Sequence, residues 1–115
     1  MKKVALLVRT NGTTERLEYT TETEYETLSG GVGGFIETVT LSPDLIMWVN
    51  EEGKISNMPY NRIASRWFDN VFGPGEDIIV GDVVFTGGSD FEGYTTSLTE
   101  SQLTAIEQGA KSVMA

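Results

Sequence analysis

The chain of 115 residues contains no cysteine and no histidine. It therefore has no disulfide, no thiolate nucleophile, no Ser-His-Asp triad and no imidazole for acid–base catalysis, and a Cys/His zinc site is excluded. The lack of cysteine is consistent with a reducing compartment. We accordingly expect a cytoplasmic protein with no cofactor, no bound metal and no catalytic residues.

Basic side chains are also scarce. Lys and Arg number 8 against 17 Asp and Glu, which gives a formal net charge of −9. No basic residue lies between Arg66 and Lys111, and a surface of this sign repels the phosphate backbone of nucleic acids. We therefore expect no nucleic-acid partner. The acids of this segment that we predict to form an interaction surface are Asp77, Asp82, Asp90 and Glu92.

Long apolar runs are missing as well, since none approaches the roughly 18 residues of a membrane span. The apolar run near the start covers only residues 4–8 and is followed by Arg9 and by Asn11-Gly12. A buried strand explains it better than a signal peptide, and we expect no membrane association. Hydrophobic residues make up 39% of the chain, which is enough for a single core, so we predict one domain over residues 1–115.

Alternating and apolar patterns predict a mostly antiparallel sheet. Residues 3–9 have the composition of a central strand covered on both faces, and residues 13–20 would return from it. Asn11-Gly12 between them is typical of a two-residue hairpin turn, in which both positions have positive φ. The further predicted strands are 35–41, 45–49, the short 54–56, and 77–85 with a bend at Gly81.

Helix signals occur at three places. Thr23 and Glu26 have capping-box spacing before a helix over residues 22–30, which Gly30-Gly31 and Gly33-Gly34 would end. A second helix is predicted over residues 61–68. A third follows the capping box of Thr99 and Gln102, and its apolar stripe is Leu103, Ile106, Ala110 and Val113. The order β-β-α-β-β-β-α-β-α predicts a small α+β domain with a C-terminal amphipathic helix.

Five separated segments of the chain carry a family likeness. They are residues 32–37, 44–54, 59–64, 77–88 and 98–103. In their order and spacing they resemble an uncharacterised domain-of-unknown-function family found in phages, plasmids and actinobacterial or gut-bacterial genomes. The resemblance implies a small intracellular domain encoded by a mobile element, and it assigns no functional residues.

The most concentrated basic feature lies on the second predicted helix. Arg62 and Arg66, at i and i+4, would grip an anion, and a neighbouring aromatic ring would stack on a base. An alternative is that both arginines pair with surrounding acids. The residues of this candidate ligand site are Tyr60, Asn61, Arg62, Arg66 and Trp67.

Other patterns have ordinary structural explanations. The glycines of residues 30–34 follow a helix and precede a strand, which is the reverse of a phosphate-binding loop, so we expect a helix end and close packing. Neighbouring acids occur as pairs without an accompanying nucleophile and base. These pairs are Glu51/Glu52, Asp77/Asp82 and Asp90/Glu92.

The sequence thus favours a non-catalytic binding protein of phage or mobile-element origin. Its acidic surface would modulate a host protein, with an anti-defence role as one form of that activity. Two alternatives remain open. One is sequestration of a small anionic, nucleotide-like ligand near Arg62 and Arg66, and the other is a homo-oligomeric accessory protein.

Overall fold

The computed structural model describes residues 1–114, which form five strands and three helices. The strands are β1 (Lys3–Val8), β2 (Thr14–Tyr19), β3 (Ile36–Ser42), β4 (Leu45–Asn50) and β5 (Val83–Thr86). The helices are α1 (Glu24–Val32), α2 (Arg62–Phe72) and α3 (Glu100–Met114). The sheet order is β2-β1-β5-β4-β3, and every neighbouring pair is antiparallel. The predicted α+β class and the sequence of elements are confirmed, apart from one short strand described below.

The sheet is covered on both faces. On one face, Leu6, Val8 and Phe85 pack against the apolar sides of α2 and α3. On the other face, Leu7 and Val84 pack against α1 in a smaller cluster. β1 is therefore an interior strand buried from both sides, as its continuous apolar run predicts. Within residues 1–114, no helix is long and apolar enough to cross a membrane.

The first hairpin is confirmed, but its turn is longer than predicted. The Arg9 N–H donates to the Thr13 carbonyl, and the Gly12 N–H donates back to the Arg9 carbonyl, both at 2.9 Å. The loop therefore contains three residues, and Gly12 has a φ of 92° while Asn11 stays at negative φ. This geometry is that of a type I turn followed by a left-handed residue, which is a common alternative to the two-residue turn.

Helix α1 ends later than predicted, and its N-terminus is built differently. It continues through Gly30 and stops at Gly33, which has a φ of 80° and donates its N–H to the Ser29 carbonyl. Thr23 provides no side-chain cap, because its hydroxyl accepts the Thr20 N–H at 2.9 Å instead. The predicted capping box of Thr23 and Glu26 is therefore wrong.

The predicted strand over residues 54–56 is also wrong, because these residues lie in consecutive turns. The Ser56 N–H donates to the Glu52 carbonyl and the Met58 N–H donates to the Gly53 carbonyl, so the backbone closes on itself. Asn57 completes the turn in a left-handed conformation with a φ of 57°.

The strand predicted over residues 77–85 is shorter than expected. Gly81, with a φ of 78°, bends the chain as predicted, and the sheet strand β5 begins only at Val83. The residues before the bend run towards α2, where the Ile79 N–H donates to the Ser65 hydroxyl at 2.9 Å. Hydrogen bonds to a helix therefore replace the sheet pairing that the apolar pattern suggests.

Candidate functional site

The four acids of the predicted interaction surface lie on separate segments of the chain. Asp82 precedes β5, whereas Asp90 and Glu92 follow it, so they lie towards opposite ends of that strand. Asp77 lies before the bend at Gly81 and pairs with Lys54. The short strand β5 thus lies between Asp82 and the pair of Asp90 and Glu92.

Two of these acids have structural roles in turns. Asp82 accepts the Thr10 N–H at 2.9 Å and so fastens the first hairpin loop to the start of β5. Asp90 accepts the N–H groups of Glu92 and Tyr94, at 2.8 and 3.0 Å, within its own loop. Both carboxylates are thus engaged by backbone groups.

Asn61, in the predicted ligand site, is fully buried and structural. Its Oδ1 accepts the Ala64 N–H at 3.0 Å and caps α2. Its Nδ2 donates to the carbonyls of Val8 and Gly81, at 3.1 and 2.9 Å. With 0% of its surface exposed and its amide used in three hydrogen bonds, Asn61 has nothing left to offer a ligand.

The other residues of that predicted site do not share one binding site. Trp67 packs its ring edge-to-face on Phe85, with centroids 6.1 Å apart, and so belongs to the core. Trp67 and Arg66 line a cavity of about 160 Å³ between α2 and α3, but Arg62 and Tyr60 do not line it. Small-molecule pockets generally start at about 300 Å³, so this cavity is small for a nucleotide.

The arginines themselves are exposed and carry no carboxylate partner. Among residues 1–114, neither Arg62 nor Arg66 forms an ion pair within 4.0 Å. The alternative in which they bridge to neighbouring acids is therefore not the arrangement in the described part of the chain.

A different cavity combines apolar and acidic groups at the edge of the sheet. We call it the edge cavity. It has a volume of about 120 Å³, and it lies where β3 and β4 meet α2 and the segment before Gly81. Its apolar lining comes from Val39, Val49, Phe68, Ile78, Ile79 and Val80. Its charged lining comes from Glu37, Glu51, Lys54 and Asp77.

The charges around the edge cavity are unequally compensated. Lys54 donates to Asp77, and this contact, together with the Ile78 N–H, holds the pKa of the Asp77 carboxyl below its usual range. Glu37 and Glu51 form no ion pair with any other residue of 1–114. Both are exposed, so the cavity has two carboxylates without an ion-pair partner in the described chain, whereas its one cation, Lys54, is paired with Asp77.

Most residues of the edge cavity could not be predicted from the sequence to lie together. Glu37 and Val39 share one face of β3 because they are two residues apart, and a strand pattern reveals that much. Glu51 and Lys54 read as turn and strand residues, and nothing local shows that Asp77 reaches Lys54. Of the residues predicted for the ligand site and the acidic interaction surface, Asp77 alone lines the edge cavity.

A second polar cluster lies inside the protein. The Lys3 ammonium donates to Thr21 and to the Thr95 carbonyl, at 2.9 and 2.8 Å, and lies 3.7 Å from Glu24. Glu24 accepts the Thr95 N–H and hydroxyl, at 3.0 and 2.6 Å. The Tyr19 hydroxyl lies 2.6 Å from the same threonine hydroxyl. Burial raises the pKa of the Tyr19 phenol, against the effect of that hydrogen bond.

This buried cluster fastens the loop after β5 to β1, β2 and the start of α1. No buried side-chain nitrogen or oxygen in the described chain lacks a hydrogen-bond partner, so the cluster leaves no polar atom directed at an absent ligand. We interpret it as a structural anchor.

Fold and site together define an α+β domain whose antiparallel sheet ends in a strand beside a small acidic cavity. The chain belongs to the family described as "Domain of unknown function (DUF3846)", whose model matches residues 1–111. The expected membership of an uncharacterised family is therefore confirmed. Neither the curated proteins nor the solved structures contain a match to this sequence.

Proposed function

We propose that the protein is a non-catalytic cytoplasmic binding protein that captures a basic partner protein at the edge cavity. The observation that supports this most is the pair of uncompensated carboxylates, Glu37 and Glu51, beside an apolar lining. At about 120 Å³ the cavity has room for one side chain rather than for a small molecule of ordinary size.

The charge of the whole chain supports the same function. A net charge of −9 attracts a basic partner over long distances and raises the rate of encounter at low ionic strength. The cavity would then hold the partner at one place, because uncompensated charge and apolar surface coincide there. Capture by this mechanism is sensitive to salt.

The identity of the partner follows from the setting that the family likeness implies. For a protein encoded by a phage or another mobile element, the basic partner is a host protein. Inhibition of a host defence protein is one activity that such binding would provide.

The experiment is affinity capture from a bacterial lysate with two charge-reversal variants. In Glu37→Lys/Glu51→Lys the two carboxylates at the cavity are reversed. In the control, Glu22→Lys/Glu92→Lys, two exposed carboxylates that do not line the cavity are reversed, and their side chains form no ion pair or hydrogen bond within residues 1–114. Both variants therefore change the net charge by the same amount.

We expect a basic protein to be captured by the wild type and by the control variant at ~50 mM salt, and released at ~500 mM salt. The cavity variant should lose this protein. Equal capture by both variants, or capture that salt does not affect, would contradict the proposal.

The alternative of an anionic, nucleotide-like ligand has one observation in its favour, namely that Arg62 and Arg66 are exposed and have no acidic partner within residues 1–114. The same capture experiment tests it. A nucleotide that copurifies with the wild type, and is lost in Arg66→Ala, would favour this alternative over protein capture.

A further inference from the structure

β3 forms one edge of the sheet. It pairs with β4 and with no other strand in the described chain. The Glu51 N–H donates to the Phe35 carbonyl at 2.8 Å, directly opposite in the β3–β4 register. In an antiparallel ladder the direction of the backbone groups alternates, so those of Ile36, Thr38 and Thr40 point away from β4.

The two edges of the sheet differ in their protection. On the β2 edge, Arg16 is held by Glu100 and Glu107 of α3, and three of the six residues of the strand are charged, namely Glu15, Arg16 and Glu18. The β3 edge contains one charged residue, Glu37, and neither lysine nor proline. Its bulge lies between Thr40 and Ser42, at the end of the strand. Lysines, prolines, central bulges and inward-pointing charges are the usual devices that prevent a further strand from pairing, and over residues 36–40 β3 has only the single charge of Glu37.

The edge cavity lies beside this weakly protected stretch. Glu37 and Val39 belong to both features, because they are residues of β3 and also line the cavity. In a strand added to β3, the residue opposite Glu37 or Val39 places its side chain on the same face of the sheet. A long side chain at that position reaches the cavity.

We propose that an extended segment of the partner protein adds to β3 as a further strand and places a lysine or arginine side chain in the edge cavity. This inference rests on the proposed function and gives its mode of binding. The main-chain hydrogen bonds of the added strand supply affinity, and the cavity selects the side chain.

Charge complementarity identifies the side chain as basic. Its aliphatic stem would lie along Val39, Val49 and Phe68, and its cationic end would reach the carboxylates of Glu37 and Glu51. Lysine and arginine are the side chains that combine an apolar stem with a positive end. An acidic side chain would meet two like charges at the same place, which is unfavourable.

The test uses synthetic peptides of about nine residues, which is within the usual range of strand lengths. The first has one central lysine flanked by alternating threonine and valine. The second is a pair of peptides of the same sequence in which alternate amides are N-methylated, at odd positions in one and at even positions in the other. Each of the two therefore lacks the N–H donors along one of its edges. The third has glutamate in place of the central lysine. Binding is measured by titration, and hydrogen exchange of the protein's amides is followed by NMR.

We expect the lysine peptide to bind and to slow exchange at Ile36, Thr38 and Thr40, whose N–H groups point away from β4. Exchange at Glu37 and Val39 should change little, because their amides already belong to the ladder. One of the two N-methylated peptides should bind at least about tenfold more weakly, which corresponds to the loss of one or two hydrogen bonds. The glutamate peptide should also lose about tenfold.

A matched pair of protein variants tests the same edge. Thr38→Pro removes an outward N–H from β3 but no bond to β4. The control is Thr14→Pro on β2, where the Arg9–Thr13 hydrogen bond makes Thr14 an outward-facing position as well. Proline is tolerated at such edge positions. We expect Thr38→Pro to abolish peptide binding and Thr14→Pro to leave it unchanged.

The outcomes distinguish a failure of strand addition from a failure of acidic capture. Equal binding of the lysine peptide and both N-methylated peptides, with no slowed exchange at Thr38, would overturn strand addition and leave acidic capture intact. Equal binding of the glutamate peptide would overturn the charge-based function itself. Failure of the lysine peptide to bind at roughly 1 mM overturns strand addition. If the β3 amides become protected as protein concentration rises without peptide, the edge binds a second copy of this chain, which also overturns the proposal.

Discussion

Gly31 has only a hydrogen atom as its side chain, and this lets α1 pack close to the sheet. A Cβ at this position would lie 2.4 Å from Cγ2 of Val84, a fully buried residue of β5. At the neighbouring Gly30 a Cβ would have nothing within 4 Å. Gly31 is therefore required for close packing, whereas Gly30 occupies an open position in the same helix.

We expect Gly31→Ala and Gly30→Ala to change stability in opposite directions. Overpacking against Val84 should cost about 1–3 kcal/mol of unfolding free energy, which exceeds the helix-propensity gain of alanine. Gly30→Ala should gain up to about 1 kcal/mol, because it has the propensity gain without the clash. Urea unfolding followed by tryptophan fluorescence measures both. A gain of stability in Gly31→Ala would show that α1 can move away from Val84 without cost.

Capping patterns show what a sequence predicts well at the scale of an element. Thr99 and Gln102 form the predicted capping box of α3, with reciprocal hydrogen bonds of 3.1 and 2.9 Å. The same spacing at Thr23 and Glu26 fails, because Thr23 bonds to Thr20. The two sequence patterns have the same spacing. They differ in their surroundings, because the end of β2 brings the Thr20 N–H within reach of the Thr23 hydroxyl.

Distant contacts explain why the sites were harder to predict than the elements. The hairpin, the three helices and the α+β class follow from periodicity and turn residues that are local in the chain. Asn61 has its donors directed at Val8 and Gly81, far from it in sequence, and so it is structural rather than ligand-binding. The edge cavity likewise depends on the register that sets Glu37 opposite Val49. No local pattern specifies these pairings.

Asn61 joins α2 to the ends of two other elements, so its amide should matter beyond the helix cap. Asn61→Asp keeps the oxygen that caps α2 but loses both donors, and it puts a charge in a fully buried position. We expect a loss of at least about 2 kcal/mol, since buried carbonyls without partners cost about 1–3 kcal/mol each. Thr99→Ala, which removes an exposed cap, should cost about 1 kcal/mol. Chemical denaturation at pH 7 compares them, and wild-type stability in Asn61→Asp would mean that these donors are dispensable.

At the scale of the whole molecule, Arg16 joins the first hairpin to the last helix. Its guanidinium donates to Glu107 at 2.8 and 2.9 Å and to Glu100 at 3.0 and 3.2 Å. These contacts raise the pKa of Arg16 and lower that of Glu107. In a chain of net charge −9, a cation shared by two carboxylates also relieves repulsion between them.

The lowered pKa of Glu107 makes the contribution of this contact dependent on pH. A carboxyl whose pKa falls on folding stabilises the protein fully above its ordinary pKa, about 4.5, and loses that contribution as the pH drops through the folded-state value. We expect Arg16→Ala to lower the urea midpoint at pH 7, and the difference from wild type to shrink below pH ~4.5. It should also shrink at ~1 M salt.

Lys2→Ala is the matched control, because it removes the same charge just before β1 but breaks only an exposed contact of 3.5 Å to Glu18. The control should lie close to the wild type across the pH range, since such isolated pairs contribute little. Urea midpoints at several pH values, with an NMR titration of the Glu107 carboxyl, measure both effects. The Glu107 pKa should rise in Arg16→Ala and stay unchanged in Lys2→Ala. If the two variants instead lose stability equally at pH 7, net charge rather than the Arg16 contact governs how the first hairpin is held to α3.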